Sequence, residues 1–416
     1  MESSVYVHPE DLRGEGLESV ADRVLGLGCD GLTVAAAYHQ ARDVTPHGSS
    51  RVTVRRDGVH FPLAEDLWDG LRLVPPRQDR SDDGLFARLR PATTERGARL
   101  HGWTVFLHNT TLGRAHPDVT QENCFGDRAA PADLCPSHPD VRAYAIALAR
   151  SVARLRVDAV VAESLHFGTF GHGYHHERSF VDLGPVEEFL LGLCFCPHCR
   201  SRAAQAGVDS QAARRAAVRV VGGVLDGGTP VPGELSADTL TERAGPALER
   251  YARTRTQTVT TLVASVARAV AGEGSRLVFL DLAGAIKGYA DGLPTGGPAC
   301  EAAWQIGVDP AAIGSVADGY AILGYARDPA RLSADVAAYR SALGESGPLR
   351  VTLRPGRPDT PSAANLREKV SLIAAAASAV DFYSYGLYPL PVLDRITEAI
   401  SPTRSGPDRP LPERAG

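Results

Sequence analysis

The sequence predicts an α/β fold, a closed (β/α)8 TIM barrel, and three observations carry that expectation. Eight short apolar runs rich in β-branched residues recur along the chain, each followed by a polar segment and then a helical pattern. The runs are nearly continuous in hydrophobicity, as parallel strands covered on both faces should be. No G-x-G-x-x-G follows the first run, which removes the commonest reason to choose an open doubly wound sheet.

The first four strands are expected at 4–9 (SVYVHP), 31–39 (GLTVAAAYH), 100–109 (LHGWTVFLHN) and 157–165 (VDAVVAESL). The second four are expected at 276–284, 319–327, 349–356 and 380–389, the last rich in aromatics. Between them lie helical patterns such as DVRAYAIALARSVARL and NLREKVSLIAAAASA. Two connections are far longer than an ordinary loop. One follows strand two, from His39 to about Leu85, and contains RVTVRRDGVHFP, read as a β-hairpin turning at Asp57-Gly58. The other follows strand four, at about 166–255, and carries at least two helices. Both insertions leave the C-terminal ends of strands, the face where barrel active sites form. Residues 1–400 then make one barrel domain, and 401–416, rich in proline and charge, a flexible tail.

The 416 residues are 44% hydrophobic with a formal net charge of −5, the balance of a soluble globular protein. Nothing in that charge suggests a nucleic acid or an anionic membrane as partner. The opening MESSVYVHPEDL has neither a basic nor an apolar leader region. No apolar run approaches the ~20 residues of a membrane helix. The expected location is the cytoplasm, where clustered cysteines mean metal or catalysis rather than disulfides. Homo-oligomerisation is left open.

Three of the seven cysteines crowd into LCFCPHCRSRA (193–203), spaced C-x-C-x-x-C just ahead of a helix. Three thiolates do not complete a tetrahedral site, so a fourth ligand is required. Cys29 precedes strand two, at the wrong end of the barrel, and Cys300 is a further candidate. Cys124 and Cys135 both lie after strand three, next to the strand-four insertion.

The segment NCFGDRAAPADLCPSHPDVRAY, followed by CFCPHC, resembles the paired cysteine segments of zinc-containing family 42 β-galactosidases. LCPSHPDVRAY is also similar to segments of related uncharacterised glycosyl-hydrolase-like barrel families. The resemblance spans roughly residues 100–200. It implies a structural zinc held by Cys135, Cys194, Cys196 and Cys199, with no open position for water. It also implies a carbohydrate-active hydrolase.

Strand ends face a common cleft in a barrel, and here they offer His8, His39, Gln40, His108, Asn109, Glu163, Asp281, Tyr325, Arg354, Tyr383, Tyr385 and Tyr388. Acids, imidazoles, amides and aromatic faces are what a sugar requires. Glu163 follows an apolar strand, where a raised pKa would suit a general acid. The resembling family carries an Asn-Glu pair on strand four, and here the pair is Ala162-Glu163. The nucleophilic Glu that related retaining glycosidases carry on strand seven is replaced by Arg354. Asp281 is therefore expected as second carboxylate, activating water in an inverting reaction. Arg354 is expected to bind an acidic substrate group or to pair with Asp281. His39, His108, Asn109, Tyr383 and Tyr385 complete the substrate contacts. His166, His172, His175 and His176 share one glycine-rich loop, but no H-x-H or H-E-x-x-H spacing supports a second metal. The expected function is glycoside hydrolysis on a small saccharide or glycosylated metabolite. The alternatives are a non-catalytic sugar-binding barrel, or a lyase or isomerase acting on a sugar-derived intermediate.

Overall fold

The computed structural model describes all residues except 79–82, 172–177, 231, 345–346 and 405–416. The barrel strands are β1 (Glu2–Val7), β2 (Gly31–Tyr38), β3 (Arg99–Val105) and β4 (Ala159–Glu163), then β5 (Arg276–Asp281), β6 (Gly319–Leu323), β7 (Leu349–Leu353) and β8 (Ala379–Phe382). Each pairs in parallel with the next. β8 pairs with β1, which closes the cylinder at Ser4–Asp381. All eight expected strands are present.

Pleating divides each strand between two apolar environments. Val160, Leu277, Phe279, Tyr320, Ile322, Val351 and Val380 face outward, into one core shared with the surrounding helices. Inside, one cluster of Tyr6, Ala35, Tyr38, Trp103 and Val105 fills one side. Ala159, Val161, Val278, Leu280 and Ala321 fill the other. Toward the strand N-termini Arg350 and Asp381 form a buried two-pronged pair at 2.8 and 3.0 Å, and Ser4 Oγ donates to the same carboxylate at 2.6 Å. Paired charge closes the lower end, leaving aromatic surface toward the mouth.

The insertion after β2 departs from the expected hairpin. Ala41–Val44 pairs antiparallel with Val52–Arg55. Gly58 and Val59 instead turn back onto β2, opposite Tyr38 and Ala37. Asp57 does not serve a tight turn: its carboxylate accepts from Gln40 N and Nε2 and from Thr111 N and Oγ1. Gly58 has φ +143°, and a Cβ there would stand 2.5 Å from the Pro76 carbonyl oxygen. The insertion after β4 carries helices Pro185–Gly192, Pro197–Gln205, Ser210–Leu225 and Ala237–Ala244 before the long helix Pro246–Gly272. The final helix, Arg395–Arg404, runs past residue 400, so the expected tail begins later, and 405–416 lies outside the described residues. No helix among the described residues is long and apolar enough to cross a membrane.

Candidate active site and metal centre

Glu163 ends β4 in phase with Ala159 and Val161, so its side chain enters the lumen at the mouth. Trp103 Nε1 donates to Glu163 Oε2 at 2.5 Å. Burial raises the carboxyl pKa, against the opposing pull of the Trp103 bond and the His108 charge. The next residue, Ser164, has φ +55°, a left-handed conformation that costs a non-glycine residue on the order of 1–3 kcal/mol. That turn is held by Phe106 N and Leu107 N, which donate to the carbonyls of Glu163 and Ser164 at 2.9 and 3.1 Å.

Aromatic rings wall the space around this acid. Trp103 packs 4.7 Å from Tyr38 and 5.7 Å from Tyr383, ring centre to ring centre, and Tyr383 lies 6.4 Å from Tyr325. His39 stacks on Tyr38 at 4.3 Å and meets His108 edge-on at 5.2 Å. His8 is fully buried against Tyr38 and Trp103, where burial, with Arg55, holds it neutral far below its ordinary pKa. His108 Nδ1 lies 3.2 Å from Asp133 Oδ1. Burial lowers the His108 pKa, but the Asp133 bond and charge outweigh it and the net shift is upward.

Arg354 reaches the mouth, lying 4.2 Å above the Tyr325 ring with its side chain 15% exposed. The expected pairing with Asp281 does not occur. Arg354 Nε contacts Asp359 Oδ1 at 2.5 Å and Nη2 donates to the Tyr289 carbonyl at 2.7 Å. Its carboxylate partner comes from its own loop.

Three expected site residues do other work. Asp281 continues the outward phase of Leu277 and Phe279, and it is 1% exposed. Its Oδ2 accepts from Tyr320 at 2.5 Å and from Tyr339 at 2.9 Å, and Oδ1 from Ala283 N at 2.7 Å. Tyr339 lies on helix Pro329–Leu343, so this carboxylate ties barrel wall to helix and does not face Glu163. Asn109 caps helix Thr110–Ala115, its Oδ1 accepting from Leu112 N at 2.9 Å. Tyr385 is buried beneath the first insertion, donating to Glu15 Oε2 at 2.8 Å and packing on His47.

A cavity of about 320 Å³ opens beside the mouth, lined by His108, Asp133, Ser164, His166, Glu188 and Arg255 among others. His166 places Nδ1 2.8 Å from the Phe167 carbonyl, while His172, His175 and His176 lie outside the described residues. Trp103, Ser164 and Asp133 are site residues that the strand-end pattern does not predict. Trp103 could have been found from its in-phase position two residues before Val105; nothing in the loop marks Asp133.

Cys135, Cys194, Cys196 and Cys199 are all buried, with their sulfurs within 4.8 Å of one another. Among the described residues this is the only such cluster that could hold a metal ion. The three sulfur separations from Cys135, 3.5, 3.6 and 3.8 Å, are close to the ~3.8 Å edge of a tetrahedron with ~2.3 Å metal–sulfur bonds. Cys196 caps helix Pro197–Gln205, with Pro197 in the first turn and Cys199 N directed at its sulfur, 3.5 Å away. Helix N-termini favour negative charge, so Cys196, at the cap, is the cysteine placed to carry a thiolate there. Glu122 N donates to Cys194 Sγ at 3.4 Å, and Tyr251 OH to the Cys194 carbonyl at 2.7 Å. Cys124, buried elsewhere in the same loop as Cys135, is not part of the cluster.

No family model matches the sequence, and no curated protein matches it. Among solved structures, α-L-fucosidase isoenzyme 2 from Paenibacillus thiaminolyticus is similar at TM-score 0.55 and 12% identity, over 97% of this chain and 50% of that one. A β-galactosidase from the haloarchaeon Halorubrum lacusprofundi matches at 0.53 and 14%, over 96% and 58%. A β-galactosidase from Marinomonas ef1 matches at 0.53 and 9%, over 96% and 58%. The chain spans between 50% and 58% of the length of these proteins. At such identities the likeness is one of fold: a parallel eight-stranded barrel of the kind these glycosidases contain.

Proposed function

We propose that this chain is a carbohydrate-active enzyme of the glycoside-hydrolase type, acting on a small saccharide or glycosylated metabolite. Glu163 is its general acid. One observation carries the reading: a carboxyl with a raised pKa, oriented by Trp103, stands in an aromatic-walled barrel mouth. Breaking a glycosidic bond requires a proton on the departing oxygen, and a partly desolvated carboxylic acid is suited to give it. Tyr325 and Tyr383 offer faces for the sugar ring, while His39 and Arg354 offer hydroxyl partners. The cysteine cluster fits Zn²⁺ best, because four thiolates make a closed tetrahedral site. Held there, zinc would supply cross-linking between the β3 and β4 loops. The reading places the protein in the cytoplasm, where those thiols stay reduced.

The test compares aryl glycosides of good and poor leaving ability. Glu163→Gln should cut turnover of phenyl glycosides by ~10²-fold or more while largely sparing dinitrophenyl glycosides, whose departure needs no proton. Unchanged phenyl glycoside turnover would remove Glu163 as the acid. The outward placement of Asp281 favours a second reading, a lyase or isomerase, since among the described residues Glu163 is the one strand-ending carboxylate left to serve the mouth. Products formed without uptake of water would identify that chemistry.

A further inference from the structure

With Asp281 committed to the barrel wall, a hydrolase built on Glu163 needs another group to take the proton of the attacking water. We propose that His108, held by Asp133, is that group. This inference rests on Glu163 being the acid.

The geometry is that of an oriented base. His108 follows β3 and Glu163 ends β4, which are neighbouring strands; His108 lines the cavity beside the mouth, and the Glu163 charge acts on it. His108 Nδ1 meets Asp133 Oδ1 at 3.2 Å, so the assigned proton-accepting atom is Nε2 at the opposite side of the ring. The dyad is fixed by the backbone as well as by side chains. His108 and Asp133 form an antiparallel bridge, and Leu134 N donates to the Leu107 carbonyl at 2.9 Å. Gly168 supplies the room: a Cβ there would stand 2.1 Å from Asp133 Oδ2. The loops after β3 and β4 thus converge to seat one carboxylate behind one imidazole. Asp133 touches no reacting atom in this scheme and acts as a positioning residue.

In the reaction, Glu163 gives its proton to the departing oxygen, which leaves with both electrons of the broken C–O bond. The water oxygen forms the new bond to the anomeric carbon from the opposite face, and its proton passes to His108 Nε2. Exchange with solvent then reprotonates Glu163 and deprotonates His108. The anomeric configuration is inverted.

The groups facing His108 are Asp133 from its own loop, Asp57 from the first insertion, Glu163 from β4 and His39 from the end of β2. Glu188 and His166 line the same cavity. Glu163 and His108 share one proton at working pH. The reactive form, Glu163 protonated and His108 neutral, has the same proton count as the carboxylate–imidazolium pair. Its fraction is therefore constant across the plateau between the pair's two macroscopic pKa values.

Dinitrophenyl glycosides separate the roles, because they bypass the acid and still need the base. His108→Gln should lose ~10²-fold or more on these substrates, whereas Glu163→Gln keeps them. Asp133→Asn should shift the acid limb of the rate profile downward with little change in KM. Wild-type turnover of dinitrophenyl glycosides by His108→Gln overturns the proposal and leaves the Glu163 reading standing. Loss of selectivity in Glu163→Gln overturns that reading instead. Independently of turnover, nitrogen-15 NMR of the wild-type protein should show His108 titrating above its usual range. Both Asp133→Asn and Glu163→Gln should lower that midpoint. A midpoint unmoved by Asp133→Asn sinks the dyad.

Discussion

The cysteine cluster permits the most direct perturbation, replacement of Cys135 by serine. Cys135 is the member of the cluster from the β3 loop, and the other three lie within 194–199, so this change would cut a metal-borne link between two loops. The sulfurs of Cys194, Cys196 and Cys199 stand 3.5–3.8 Å from that of Cys135, the spacing that ~2.3 Å bonds to a central Zn²⁺ would give. X-ray absorption on the wild-type protein should therefore return four sulfur scatterers and no nitrogen or oxygen, with one zinc per chain by elemental analysis. If Cys135→Ser weakens metal binding a thousandfold, linkage lowers folding stability by about 4 kcal/mol under saturating zinc. The loss should be regional first. Phe195 stacks on Tyr251 at 4.6 Å, and that ring belongs to the long helix Pro246–Gly272, so amide exchange should quicken across 185–205. A Cys135→Ser protein with one zinc, an unchanged urea midpoint and unchanged exchange would refute the reasoning.

Asp281→Asn should cost about 1–3 kcal/mol of stability, because an amide cannot accept from Tyr320, Tyr339 and Ala283 N as a carboxylate does. Activity per folded molecule should hold; a hundredfold loss at unchanged stability would return Asp281 to the mechanism. His60 is buried beside Glu10 and Arg55, and burial lowers its pKa from 6.5 to about 4. A depressed folded-state pKa means the contribution is complete above 6.5 and is lost as pH falls through about 4. At 1.36 kcal/mol per unit, this amounts to about 3 kcal/mol. Urea unfolding at pH 7 and pH 4 should show His60→Gln losing less stability on acidification than wild type by about that amount. Parallel pH dependences would show that His60 is not buried neutral.

Long-range order was more legible than local turns. Eight apolar runs announced eight strands because a parallel barrel buries both faces of each one. The hairpin at Asp57-Gly58 failed for the opposite reason, since turn chemistry is local and tertiary partners outbid it. Asp57 finds four donors on Gln40 and Thr111, and Gly58 is needed where the chain passes the Pro76 carbonyl. Three members of the cysteine cluster were visible in their spacing. Cys124 and Cys135 were equivalent by position, and only resemblance separated them. The fold distinguishes them through the Thr120–Leu134 bridge and the Cys135 N bond to the Val119 carbonyl at 2.8 Å, neither of which leaves a trace in the sequence.

The divergence between Glu163 and Asp281 comes from the property that made the barrel recognisable. Each is the last residue of an apolar strand, and the sequence alone predicts a lumen carboxylate at both positions. Side chains alternate along a strand, so one residue of shift exchanges mouth for helix interface. In a sheet with one wet face, the polar positions would have revealed that phase. Here both faces are apolar: VFLDL places Phe279 outward and Leu280 inward with nothing in hydrophobicity to separate them. Tyrosines provide the distinguishing evidence, and they lie far away in sequence. Asp281 is stable in the wall because Tyr320 and Tyr339 donate to it, 39 and 58 residues downstream. Glu163 is kept at the mouth by Trp103, 60 residues upstream on the neighbouring strand. Moving the hydroxyl donors should therefore move the carboxylate's fate. Tyr320→Phe with Tyr339→Phe removes both side-chain donors, while Ala283 N still donates to Oδ1. The double variant should raise the Asp281 pKa further and destabilise the barrel at neutral pH more than at pH 4, since the neutral acid tolerates burial. Equal destabilisation at both pH values would mean that Asp281 is not ionised in the wild-type wall.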